Sequence, residues 1–247
     1  MALDGRNRAE CTLNLYKNPI SIMLKHIFIL MFALSFLKDL RADSPTSGFS
    51  AVSVGGGHTL ALMPDGSLWA WGNNRFGQVG NGSRVNQAAA VKVGSGFSAI
   101  AAGGSHSVAL KPDGSLWTWG ANFSGQLGLG PIGHQSQPLQ VAIPAKLIAV
   151  SAGGSNQFYF EQGLGHTLAL DDEGRLWAWG QNGHGQLGDG TIQNQNTPVM
   201  VGKGFSTICA GDRDSTALRQ DGTLLVWGPN LAYQCGVCAK AVKGCTR

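Results

Sequence analysis

The chain has 247 residues, of which 43% are hydrophobic and only 13% charged, with 37 glycines and a formal net charge of +4. Glycine without a three-residue period excludes collagen, and the balance fits many short strands joined by glycine turns. Residues 48–234 carry nine basic and ten acidic side chains, so the body lacks the concentrated basic face of a nucleic-acid binder and no nucleic-acid partner is expected.

Residues 1–47 read as an amino-terminal leader. Ile27 to Leu37, "IFILMFALSFL", is an apolar run of eleven residues with Ser35 its one polar member, Lys25 before it and Lys38-Asp39 after it. A membrane helix needs about 20; the run instead matches the apolar region of a secretory signal. The stretch from Met1 is a long, mixed-charge start, whereas a start at Met23 gives a more ordinary signal, with a weak cleavage site near Ala42. The expectation is a secreted, periplasmic or cell-envelope protein, tied to a membrane only through this segment if it stays uncleaved. An apolar helix packed on the body is the alternative, and would leave the chain cytoplasmic.

Residues 48–236 repeat. "WG" steps fall at Trp71-Gly72, Trp119-Gly120, Trp179-Gly180 and Trp227-Gly228, with spacings of 48, 60 and 48 residues. The longer middle spacing is read as 48 plus a ten-residue insert plus two further residues around "PIGHQSQP". One unit predicts four strands: "FSAIAAGG" (97–104) ending at paired glycines, "HSVAL" (106–110), "SLWTWG" (115–120), and an edge strand "PLQVAI" (138–143) with Pro138 at its start. "KPDG" (111–114) is the tight turn that pairs the second and third strands. Leu116 and Thr118 alternate with Trp117 and Trp119, so both faces of the strand are apolar or small. A sheet buried on both faces and repeated radially is a β-propeller blade; stacked hairpins of a solenoid are usually shorter.

"GGSHSVALKPDGSLWTWGANFSGQLGLG" (103–130), with "NRFGQVGNG" (74–82) and "NGHGQLGDG" (182–190), closely resembles the regulator of chromosome condensation repeat family. The resemblance implies an all-β propeller, usually of seven blades. Three full repeats and part of a fourth are legible. In the fourth, Asp214 stands where the histidine stood, and Tyr233 and Cys235 stand where Gly125 and Leu127 do. Such an arc exposes sheet faces. A truncated frame, a homodimer that completes a ring, and a smaller closed ring are the alternatives.

His58, His106 and His166 occupy equivalent positions. They are read as ties of a tight turn to nearby backbone rather than as metal ligands, since the His134 and His184 loops are out of register with them. Cys235, Cys238 and Cys245 lie in a short basic tail (237–247) and at its edge, without the second pair of a zinc site; a disulfide is open if the chain is exported, with its pairing unassigned. Cys209 reads as a packing residue at the place of Ala101. Asp171-Asp172-Glu173 reads as a solvated turn tip. The glycine loops lack the helix and lysine of a phosphate cradle. The family includes a photoreceptor with clustered indoles, but six of the seven tryptophans here lie in "WxWG" strands, where blade packing accounts for them. No catalytic, cofactor or metal residue is assigned.

The third unit departs from the others. "GGSNQFYFEQGLGHTLAL" places Asn156 to Gly165 between the glycines and the histidine. The insert is expected to project from one face of the disc, with Phe158, Tyr159 and Phe160 contacting a protein partner. A non-enzymatic protein-interaction scaffold is therefore the expected function. The resemblance makes guanine nucleotide exchange on a small GTPase, the activity of the family's founding member, the first rival; it implies a wedge inserted after a "WG" strand, whereas the three complete segments after "WG" here have standard length. An enzyme with a site in the propeller channel is the second.

Overall fold

Three of the four hairpin turns are locked by an aspartate just before the turn glycine. The Oδ1 atoms of Asp65, Asp113 and Asp221 accept from the backbone N–H two residues on, at 2.8, 2.9 and 2.9 Å. The glycine that follows takes a positive φ, such as 84° at Gly114, which a side chain resists. Hairpins nucleated this way build the computed structural model, which describes residues 48–155, 164–229 and 245–246. The chain divides into Met1–Pro45 and Thr46–Arg247, and all described residues belong to the second unit.

Four sheets follow in chain order. The first holds β1 (Ala51–Val54), β2 (His58–Leu62), β3 (Leu68–Gly72) and β4 (Gln87–Gly94). The second holds β5 (Ala99–Ala102), β6 (His106–Leu110), β7 (Leu116–Gly120) and β8 (Gln135–Val141). The third holds β9 (Leu147–Ala152), β10 (His166–Asp171), β11 (Leu176–Gly180) and β12 (Gln195–Gly202). In the fourth, β13 (Phe205–Ala210), β14 (Ser215–Arg219) and β15 (Leu224–Pro229) are antiparallel, and β16 (Cys245–Thr246) adds a two-residue parallel pairing at Gly228–Pro229. The first strands β1, β5, β9 and β13 pack serially on one another.

The sheets pack face to face, as the two-sided strands require. Leu60 and Leu68 of the first sheet, with Val79 of the loop after β3, bury against Trp119 of the second. Leu116 and Val108 bury against Trp179 of the third, and Leu176 and Leu187 against Trp227 of the fourth. One polar clasp recurs inside each junction. His58 Nε2 lies 2.8 Å from Ser107 Oγ, which donates to Gln78 O at 2.7 Å, and Trp119 Nε1 donates to the same carbonyl at 2.9 Å. His106, Thr167, Gln126 and Trp179 repeat the arrangement, as do His166, Ser215, Gln186 and Trp227.

Four expectations are corrected. The histidines bond across to the next blade's hydroxyl, not to nearby backbone. Each ring sits close against a glycine, and a Cβ at Gly103 would collide with Cε1 of His106. Pro138 lies inside β8 rather than at its start, at the register shift opposite Thr118 and Gly120, where no ladder bond is lost. The two extra residues of the middle unit lie after β8, in 142–146, because Gln87 and Gln135 pair equivalently with Gly72 and Gly120. They shape a shallow cleft of ≈ 250 Å³ beside Gly114 and Leu147. Asp171 is not solvated: it is fully buried and receives Arg175 Nε at 2.6 Å and Trp177 Nε1 at 2.9 Å.

Candidate interaction face

Both ends of each blade can be read from hydrogen bonds. The residue after each "WG" donates to the residue before the histidine: Asn73 N to Gly57 O, Ala121 N to Ser105 O, and Gln181 N to Gly165 O, at 2.7, 2.9 and 2.8 Å. The glycine–histidine connections and the long loops after β3, β7 and β11 therefore share one face. The aspartate turns share the other with the links between sheets, where Phe97 N bonds Gly66 O and Phe205 N bonds Gly174 O.

The loop phrase "NxxGQ" is a scaffold. Asn74, Asn122 and Asn182 accept through Oδ1 from the N–H five residues on, at 3.0, 3.1 and 3.0 Å. Gln78, Gln126 and Gln186 accept through Oε1 from the N–H two residues back, while their carbonyls feed the clasps. Gly77 lies flush on the next blade, where a Cβ would meet Ser136 Cα at 2.5 Å. These loops are thus held to the sheets along their length.

Burial holds the three clasp histidines neutral, with His58 lowered to about 4, His106 to about 3 and His166 to about 4. Their Nδ1 atoms are buried and unpartnered. Because the hydroxyl already donates to a carbonyl, Nε2 is the protonated nitrogen. They are structural ties, one in each junction. Among the described residues no cluster of metal-ligating side chains forms.

Phe158, Tyr159 and Phe160 lie outside the described residues, as do Cys235 and Cys238. The ends of the insert are described. Gly165 takes the place of Ser105, so the added residues run from Ser155 to Leu164, one earlier than the sequence comparison placed them. Gly154, at φ 109°, abuts Leu164 O and Gly165 Cα. The ends of the insert thus meet at one point on the loop face, between β9 and β10.

A second feature of this face escaped the sequence reading. Phe76 and Phe123 meet edge to face at 5.2 Å, and His134 closes on Phe123 at 4.3 Å. His134 Nδ1 accepts from Asn122 N at 2.9 Å, the bond that Asn86 and Asn194 make to Asn74 N and Asn182 N. Burial, and then the Arg84 charge, hold the His134 ring below the usual histidine range. Arg84 donates to His134 O at 3.2 Å, and Arg75 lies over the Phe76 ring at 5.8 Å. The signal was present in the repeat itself: Phe76 stands where Ser124 and His184 do, Phe123 where Arg75 and Gly183 do, and His134 where two asparagines do.

The regulator of chromosome condensation (RCC1) repeat matches residues 65–110, 113–158 and 173–218, and a second description of the same repeat matches 49–78 and 97–126. The chain belongs to the RCC1 repeat family. Its RCC1 blades resemble those of Prp20p from Saccharomyces cerevisiae, with 29% identity and a TM-score of 0.64 over 78% of this chain and 47% of that one. Prp20p is described for its binding to Gsp1p and histones, and it has been solved bound to Kap60. The Ultraviolet-B receptor UVR8 of Arabidopsis thaliana is 32% identical over 190 residues, 75% of this chain and 42% of the receptor. Ras guanine nucleotide exchange factor C of Dictyostelium discoideum is 33% identical over 190 residues, 11% of its length. The chain spans less than half the length of each of these RCC1-repeat relatives.

Proposed function

We propose that this chain is a non-enzymatic protein-interaction scaffold, exported through its amino-terminal apolar segment, whose loop face holds a protein partner. One observation carries the proposal: the junctions repeat from blade to blade, while the insert and the cluster around Phe123 both depart from the repeat on the loop face. A rigid frame with variation on one face is the usual design of a binding platform. The protein contacts of Prp20p support the same class of role.

The test is photo-crosslinking of the full chain in its own cells, with the crosslinker at Phe158 or Phe123 and a control at Lys111 beside the opposite turns. Crosslinked protein at the first two positions alone supports the proposal. Equal yield at Lys111, or none at all, rejects it. Export is tested separately by fusing residues 1–47 to a reporter active only outside the cytoplasm. Nucleotide exchange is the rival role; accelerated nucleotide release from a panel of small GTPases would replace the scaffold reading. Exposed Val54 and Leu224 on the first and last described sheets support a further contact between copies, which light scattering would detect as a dimer.

A further inference from the structure

Four departures from the repeat converge at one spot between the first two blades. Phe76, Phe123 and His134 interlock, and Arg84 docks on the His134 carbonyl. At Arg84 the other two units carry Ile132 and Ile192. Local folding requires none of the four. The loop bond that His134 makes is made equally by asparagine in the neighbouring units. What histidine adds is a ring edge that closes the aromatic ridge, with its proton on Nε2 because Nδ1 is occupied. The ridge is fixed in place, since Gly82 N bonds Ser136 O at 2.8 Å across the blade junction. It is also exposed: Phe123 is 44% accessible, and Ile132 and Val85 beside it are 40% and 69%.

Charge sets what can cover it. Between Gly66 and Ser155 the sole carboxylate is Asp113, which sits in a turn on the opposite face. Arg84 has no carboxylate partner among the described residues. An apolar ridge flanked by a ring N–H and the Arg84 guanidinium is complementary to apolar side chains bordered by carboxylates. The rings meet at steep angles, 85° for Phe76 with Phe123 and 62° for Phe123 with His134. Such a ridge offers edges rather than the flat platform on which bases stack.

The geometry points to Phe76, Phe123, His134 and Arg84 as a docking site for an acidic protein segment that carries a leucine or an aromatic residue between carboxylates. This deepens the scaffold proposal and rests on it, by naming the chemistry of the partner.

The test uses the full chain against an immobilised peptide array. One set has a central Leu or Phe flanked by glutamates; a second has the same centre flanked by lysines; a third has glutamates around glycine. The first set is expected to retain the protein at least about fivefold better than the others, with a steep loss at high salt. Phe123→Gly, His134→Asn and Arg84→Ile restore residues that the other units carry, so their urea midpoints should stay close to the parent. Phe123→Gly should abolish retention, and the other two should each weaken it about threefold or more. Equal retention of lysine and glutamate sets, retention unaffected by the three changes, no retention at all, or tighter binding of single-stranded RNA would each overturn the site. No peptide retention by the parent chain, with intact crosslinking at Phe158, would reject this site and leave the scaffold standing. Peptide retention without crosslinked partners would reject the scaffold reading instead.

Discussion

The Nε2 atom of His58 lies 2.8 Å from the Oγ of Ser107, 49 residues away and in the next blade. Ser107 is also bonded to Gln78 O, on the blade that His58 belongs to. One hydroxyl thus joins two sheets by accepting from a side chain and donating to a backbone.

Ser107→Ala should leave a buried imidazole N–H and weaken the hold on a buried carbonyl. The expected cost is about 1–3 kcal/mol. Ser107→Thr should cost far less, because Thr167 fills the same role in the next junction. Urea unfolding of the two variants separates them; equal losses would refute the clasp.

The same histidines make stability depend on pH. Their folded values, about 4, 3 and 4, lie below the ordinary 6.5. The unfolded chain therefore takes up protons first as pH falls. Stability from this source is full above pH 6.5 and drains away below it, toward pH 4 to 3. Each histidine contributes a slope of about 1.4 kcal/mol per pH unit inside that window. Urea midpoints at pH 7.5, 5.5 and 4.5 should fall in that order, and His106→Gln should flatten the trend.

Two glycines with positive φ should respond differently to alanine. At Gly120 the φ is 104° and a Cβ would lie 2.6 Å from Ser105 O and 2.8 Å from His106 Cα. At Gly130 the φ is 82° but nothing lies within 4 Å. Gly130→Ala should cost the backbone term alone, roughly 1–2 kcal/mol. Gly120→Ala should cost clearly more, and thermal melts would rank the pair.

Asp171→Ala should destabilise the third hairpin. The carboxylate is fully buried and gathers Arg175 Nε, Trp177 Nε1 and the backbone N–H groups of Glu173 and Arg175. Losing a charge-assisted set of this kind costs about 3 kcal/mol. Asp172→Ala, on the exposed tip, should change the urea midpoint very little.

Phe158, Tyr159 and Phe160 changed together to serine should leave the urea midpoint within error and abolish capture of the partner. The ends of the insert meet at Gly154 and Gly165, so the strands on either side keep the register of the other units. Unchanged capture would remove the insert from the binding face.

The strands were legible because their determinants are local. "PDG" and "DG" turns, paired glycines and "WxWG" fix each hairpin from a few neighbouring residues, and β6 spans His106–Leu110 as read. The clasp was not legible, because its members lie between 29 and 61 residues apart and meet only when sheets stack. Asp171 misled for a related reason: in sequence it belongs to an acidic turn, yet it is the last residue of β10 and points into the sheet. Pro138 and the spacing of the middle unit misled because a bulge lets two different counts give the same alternation. The aromatic ridge needed a comparison of the chain with itself, position by position, at loop residues whose folding role is already filled.

Each junction takes a histidine and a carbonyl from one blade and a hydroxyl and an indole from the next, in the same arrangement three times over. Every blade from the second to the third therefore carries a plug on one side and a socket on the other. An in-frame gain or loss of one whole unit would bring a standard plug to a standard socket, with no new interface to invent. Unequal crossing-over between units would thus yield packable offspring at once, whereas a change within a single junction must be matched on both sides of it. This grammar lets such a gene vary in whole blades while the chemistry between blades stays still.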